Sequence, residues 1–103
     1  MWHDVGAADS VEEDEPLAVT VDGKEVGVFR VAGTLYAIED ICPHAYALLT
    51  QGFVEGDEVE CPLHGAIFHI PTGQCRAEPG ERDLETYRVR EEDGRVLVAI
   101  SGG

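Results

Sequence analysis

The sequence predicts an all-β chain. Three observations carry that prediction. Apolar residues alternate at period two in segments such as 17–21 and 85–90. Glycine-bearing dipeptides, Asp22-Gly23, Ala32-Gly33 and Asp93-Gly94, separate the β-rich runs. No long amphipathic helical period, internal repeat or low-complexity tract interrupts the pattern.

The first sixteen residues combine a strand-like start with an acidic run, Glu12-Glu13-Asp14-Glu15, closed by Pro16. The run reads as a solvated loop; the sharper reading is a docking patch for a basic partner. Residues 17–21 then alternate, and Asp22-Gly23 marks a hairpin with a return strand over 25–31. Ala32-Gly33 turns the chain into a third strand over 34–39, completing an antiparallel meander. Residues 40 to about 77 break the sheet pattern as an inserted subdomain. Within it, 45–51 allow one helical turn ended by Gly52. Segments 53–61 and 66–77 read as short hairpins, turned at Glu55-Gly56-Asp57 and Pro71-Thr72-Gly73. The tail returns to the sheet: Tyr87 and Val89 share a face, Asp93-Gly94 turns, and Val96, Val98 and Ile100 share a face. A chain of 103 residues is a single domain, 1–103.

The chemistry lies in two runs, Cys42-Pro43-His44 and Cys61-Pro62-Leu63-His64-Gly65, with residues 45–60 between them. Cys and His are the soft and borderline ligands that zinc and iron–sulfur centres select. Two of each can close a four-coordinate zinc site or hold a two-iron cluster on which two His replace two Cys. A finger-type zinc site pairs its Cys together and its His together. Here each run supplies one of each, which suits two distinct irons clamped between two loops. Cys42, His44, Cys61 and His64 are therefore the metal and cofactor ligands. Pro43 and Pro62 stiffen the loops.

Cys-x-His followed by Cys-Pro-x-His-Gly resembles the Rieske [2Fe–2S] motif. The similarity extends through Phe53-Val54-Glu55-Gly56-Asp57 and Glu58-Val59-Glu60 to Phe68 and Thr72-Gly73. Val28-Phe29-Arg30-Val31, Leu35-Tyr36-Ala37-Ile38 and Thr86-Tyr87-Arg88-Val89 fit the same pattern, so nearly the whole chain resembles the small Rieske ferredoxins of bacterial aromatic-ring dioxygenases. The resemblance implies the Rieske fold: stacked antiparallel sheets with a cluster-binding subdomain inserted between strands. It implies one [2Fe–2S] cluster per chain, both Cys on the inner iron, and His44 and His64 on the outer iron, nearest solvent. It also implies two partners: a flavoprotein ferredoxin reductase, fed by NAD(P)H, and a terminal oxygenase that dihydroxylates aromatic rings. No open metal position, nucleophile–base pair or nucleotide-binding glycine pattern is visible, so the chain reads as a one-electron carrier rather than an enzyme.

Two thiolates cancel the charge of an oxidised cluster, and neutral His ligands make reduction easier than four Cys would. Reduction adds a negative charge beside the imidazoles, so the potential should fall as pH rises through their oxidised-state pKa. The disulfide Cys of respiratory Rieske proteins would fall at Ala47 and Leu63, so that brace is absent. The Ser after the second His-Gly is Ala66, which removes a hydroxyl donor to the cluster. These departures place the potential at the low end of the Rieske range, on the order of −150 mV.

Other residues read more plainly. Gly65 lets backbone N–H groups approach sulfur, and Gly52 turns the chain between the loops. Ala45, Tyr46, Leu48 and Leu63 form an apolar collar around the cluster, with core packing an equal reading for Leu48. His69 is a polar surface or supporting group, Cys75 a partly buried thiol outside the ligand set, and His3 a surface residue.

The net charge of −14 argues against nucleic acid and anionic membrane surfaces and favours docking to basic protein faces. No run reaches membrane-span length, and the start lacks the features of a signal peptide. The reading is a cytoplasmic monomer. Its rivals are a Rieske-like small subunit of a reductase such as nitrite reductase, a zinc-binding structural module and a cluster-based redox sensor.

Overall fold

The computed structural model describes residues 2–42, 47–63, 65–77 and 82–100. Among them, ten strands form: β1 (Trp2–Ala7), β2 (Leu17–Val21), β3 (Lys24–Val31), β4 (Thr34–Glu39), β5 (Phe53–Glu55), β6 (Glu58–Glu60), β7 (Ile67–His69), β8 (Cys75–Ala77), β9 (Thr86–Glu92) and β10 (Arg95–Ala99). One six-stranded sheet runs β1-β10-β9-β4-β3-β2 and a four-stranded sheet runs β5-β6-β7-β8. Every pairing is antiparallel. The fold is all-β, with the smaller sheet inserted between β4 and β9.

The turn dipeptides set the hairpins of the larger sheet. Asp22 and Gly23, Ala32 and Gly33, and Asp93 and Gly94 all have left-handed φ, at 52° and 79°, 50° and 83°, and 52° and 76°. That pair of angles is the two-residue turn whose twist matches flanking strands. Ala32 carries a Cβ there and needs help to hold the shape. Glu13 supplies it: its carboxylate accepts from the N–H groups of Ala32 at 3.0 Å and Gly33 at 2.9 Å. The acidic run is therefore not wholly a solvated loop. Glu12 and Glu15 exchange backbone hydrogen bonds, and Glu13 braces the β3–β4 turn.

The larger sheet curls around its own core. Val21, Val26, Val28 and Ala37 from β2–β4 meet Val96 and Val98 from β10 and Ala8 and Val11 from the β1–β2 link. The two sheet edges approach each other: a Cβ on Gly6 of β1 would lie 3.5 Å from Leu17 Cδ2 of β2. Arg30 holds the link in place, donating to the carbonyls of Val11 at 2.7 Å and Ala8 at 3.0 Å.

The opposite faces of β3 and β4 build a second core. Phe29 and Ile38 pack with Leu49, Val59, Phe68, Ile70 and Leu84. Residues 26–29 are thus buried on both faces of β3, which is why the sequence there is continuously apolar rather than alternating. This second core fastens the smaller sheet to the larger one and contains both Cys42 and Cys61.

Candidate metal centre

Cys42 and Cys61 head two loops closed in the same way. The residue before each Cys pairs with the residue six after it: Ile41 bridges Leu48, and Glu60 pairs with Ile67. Each Cys N–H then donates to the carbonyl five residues on, Cys42 to Ala47 at 2.9 Å and Cys61 to Ala66 at 2.8 Å. The two thiols therefore occupy equivalent positions in two equally closed loops. The sequence carried a signal for this, since an Ala stands five residues after each Cys, although the Cys–His spacings differ by one residue.

Both thiols are withdrawn from solvent, with Cys42 at 2% and Cys61 at 1% exposure in the same apolar core. His44 and His64, the other two predicted ligands, lie outside the described residues, as do Ala45 and Tyr46 of the predicted collar. Among the collar residues that are described, Leu63 is 60% exposed on the second loop. Leu48 is only half-buried, and its neighbour Leu49 is the one that enters the core.

The glycines act by space as well as by turn. Gly65 has φ 77° and donates its N–H to the Cys61 carbonyl at 3.2 Å, tightening the second loop. Gly52 is extended, at φ −86° and ψ −155°, so it is not a left-handed turn residue. Its need is room: a Cβ there would run into the Glu60 carbonyl oxygen, beside Cys61.

A buried carboxylate ties the first loop to the larger sheet, and sequence reasoning did not single it out. Asp40 is 1% exposed. It accepts from the Thr50 N–H at 2.8 Å and the Thr50 hydroxyl at 2.8 Å. Its backbone bonds to Glu25 and Leu49. Gly27 makes room, since a Cβ would lie 3.0 Å from Thr50 Cγ2 and 3.2 Å from Asp40 Oδ1. Burial pushes the Asp40 carboxyl pKa up, with the Thr50 hydrogen bonds opposing it. The only sequence signal was an Asp immediately after the third strand of the meander, beside Glu39.

His69 does not approach as a ligand. Its Nε2 lies 2.9 Å from Asp57 Oδ2 and its Nδ1 lies 2.7 Å from Thr72 Oγ1. A neutral ring with its proton on Nε2 satisfies both, because Asp57 only accepts and Thr72 can donate. His69 thus joins the β5–β6 turn to the β7–β8 turn. Cys75 is half-buried against the second core and donates its N–H to Asp83 at 2.8 Å. His3 is a surface residue 3.3 Å from Asp22.

Two buried thiols in matched loops fit the sulfur half of the two-Cys, two-His donor set of a Rieske cluster, and a dry apolar setting suits a redox centre. The family model for the Rieske [2Fe–2S] domain matches residues 1–88. The chain belongs to the Rieske [2Fe–2S] family. Its cofactor is a Rieske-type [2Fe–2S] cluster. The naphthalene 1,2-dioxygenase ferredoxin component of Pseudomonas aeruginosa is 39% identical over 97% of this chain and 96% of its own length. The anthranilate 1,2-dioxygenase ferredoxin subunit of Burkholderia cepacia is 40% identical over 96% and 92%. The ferredoxin of carbazole 1,9a-dioxygenase from Nocardioides aromaticivorans IC177 superposes with TM-score 0.90 at 36% identity, over 96% of this chain and 97% of that one. A chain in the complex of reduced oxygenase and oxidised ferredoxin of carbazole 1,9a-dioxygenase superposes with TM-score 0.89 at 35% identity, over 95% and 92%. This Rieske protein is accordingly an electron-transfer component and not a catalyst of substrate chemistry. Among the described residues, no helix is long and apolar enough to cross a membrane.

Proposed function

We propose that this single-domain Rieske protein carries one electron at a time, in the cytoplasm, from an NAD(P)H-dependent flavoprotein reductase to the terminal oxygenase of an aromatic-ring dioxygenase. The observation that carries the reading is the pair of buried cysteines, each with the same N–H bond five residues on, in a chain matched over 96–97% of its length by ferredoxin components. Identity of 39–40% to ferredoxin components over nearly their whole length favours a separate carrier over a subunit fixed to a reductase.

Cys42 and Cys61 would hold the inner iron, and His44 and His64 the outer one. When bound, the cluster supplies a one-electron couple. The chain's own part is positional. Matched Cys N–H bonds fix both sulfur-bearing residues, and the second core keeps water from the thiols. Asp40, Thr50 and Gly27 hold the first loop against β3. Among the described residues, no side-chain hydroxyl stands at Ala66, consistent with a potential at the low end of the range.

The test is reconstitution. Product formation from reductase, oxygenase and NAD(P)H should depend on this chain, with an EPR signal of low average g appearing only after reduction. Cys61→Ser should abolish both. A redox-silent protein that binds zinc would refute the proposal.

A further inference from the structure

The outer face of the smaller sheet is unlike the rest of the surface. Residues directly opposite each other on neighbouring strands share a face. Phe53 pairs with Glu60 and Glu60 with Ile67; Glu55 pairs with Glu58 and Glu58 with His69. Phe53, Glu60 and Ile67 thus form one outward row, and Glu55, Glu58 and His69 form the next. Val59 and Phe68 occupy the buried face. The rows border a shallow groove of about 340 Å³, to which the outward rows contribute Phe53 and Ile67 as apolar side chains.

Two features of this face have no role in the fold. Phe53 is 66% exposed, and only Leu63 joins it as an exposed large hydrophobic residue among those described. Leu63 stands on the second cysteine loop, so both belong to the metal-binding half. The carboxylates are also largely uncompensated. Glu58 has Arg76 at 3.3 Å, whereas among the described residues Glu55 and Glu60 face no cation. Glu60 immediately precedes Cys61, so the groove adjoins the metal loop.

We propose that this face is a docking surface for a protein redox partner that presents lysine or arginine side chains around an apolar anchor. The groove takes the anchor beside Phe53 and Ile67, Glu55 and Glu60 meet the basic rim, and Leu63 extends the contact toward the cluster. Apolar contact surrounded by charge complementarity gives a small, rapidly exchanging interface, as electron carriers need. The assignment rests on the electron-carrier reading and adds the face on which the carrier is recognised.

The probe is cytochrome c, a basic redox protein with lysines around its exposed haem edge, used with the holo-protein at low ionic strength. Reduction of ferricytochrome c is followed by stopped flow, and binding of the two oxidised proteins by calorimetry. Glu55→Gln/Glu60→Gln should weaken binding and slow the second-order rate by about fivefold and flatten the salt dependence. Asp9→Asn/Asp14→Asn removes the same charge from the β1–β2 link and should change either by less than about twofold. Phe53→Ser should weaken binding by about threefold with the salt dependence intact. Each variant should keep the EPR signal of the reduced cluster. Equal effects of the two double variants, or wild-type binding by Phe53→Ser and Glu55→Gln/Glu60→Gln, would overturn the proposal. Failure to support oxygenase turnover, with cytochrome c behaving as expected, would instead count against the dioxygenase setting and leave the docking face standing.

Discussion

The two cores of this protein are built on different rules. The core inside the larger sheet consists of Val and Ala side chains, placed by regular alternation on the strands and joined by Ala8 and Val11 of the β1–β2 link. The core beneath the smaller sheet contains Phe29, Phe68, the two buried thiols of Cys42 and Cys61 and, at its margin, a buried carboxylate. Close backbone approaches at Gly27, Gly52 and Gly73 shape it. The first core is fixed by local turns and period-two patterning. The second is fixed by long-range contacts and gains from the cluster, because metal binding that requires the folded loops stabilises them.

The largest expected difference follows from packing. Phe68→Ala removes a fully buried ring between the smaller sheet and β3, and should cost about 3–5 kcal/mol. Val98→Ala in the other core removes two methyl groups and should cost about 2 kcal/mol. Denaturant unfolding of the two holo-proteins measures the costs, and iron content separates them further. Phe68→Ala should lose cluster before unfolding, whereas Val98→Ala should retain it until the transition. Equal iron retention in both variants would show that the two cores behave as one unit.

Two glycine substitutions sharpen the contrast. Gly52→Ala pushes a methyl into the Glu60 carbonyl and should cost about 1–3 kcal/mol by overpacking, with visible disturbance of the cluster absorption. Gly23→Ala meets no atom within 4 Å but must adopt φ 79°. It should cost about 1–2 kcal/mol through backbone strain alone and leave the absorption unchanged. The visible spectrum, more than the stability, distinguishes the two mechanisms.

The same division explains what could be read from the sequence. The meander, its three two-residue turns and the return strands were legible because Asp-Gly and alternation are local signals. The hairpins of the smaller sheet and the two cysteine loops were legible for the same reason, together with the ligand motif. Gly52 ends the short helical turn as its sequence suggested, but the close approach that demands a glycine was not legible, because Glu60 is brought to it only by tertiary structure. Leu49, not Leu48, enters the core, since a short 3-10 turn places its side chains with a period that the sequence did not reveal. Asp40, Thr50 and Gly27 escaped notice because their bond depends on three segments meeting. Glu13 did too: an acid in an acidic run gives no hint that it caps a turn nineteen residues away.

Asp40 allows the joint between the two cores to be tested. Removing its carboxylate in Asp40→Ala leaves the Thr50 N–H and hydroxyl unpaired and should cost about 1–3 kcal/mol. Its folded pKa lies above the unfolded value because burial disfavours the charge. The folded state therefore holds this proton more tightly. The resulting stability is fully present below the ordinary carboxylate pKa and is lost as pH rises through the raised one. Asp40→Asn should remove this downward step from a stability–pH curve, and persistence of the step would assign it elsewhere.

The smallest effect belongs to Glu39, the next residue back, and it has the opposite sign. Burial raises its pKa, but two hydrogen bonds from Arg82, at 2.9 and 2.6 Å, and one from the Glu85 N–H outweigh burial and leave the pKa lowered. The unfolded state therefore takes up the proton first as pH falls. The contribution is present above the ordinary carboxylate range and is lost on acidification through the folded pKa. Because Arg82 is half exposed, water and salt screen the pair, and it should be worth under about 1 kcal/mol. Arg82→Gln should reduce stability near neutral pH by that amount and have little effect in acid, where Glu39 is protonated in both states. Adjacent carboxylates at the end of β4 thus respond to acid in opposite directions. Asp40 points into the joint with the smaller-sheet half and meets no cation among the described residues, whereas Glu39 binds the chain re-entering β9. A single titration of Arg82→Gln alongside Asp40→Asn should separate them. If both variants shifted the curve in the same direction across the acid range, the two carboxylates would share one environment, and the division drawn between the joint and the sheet edge would be wrong.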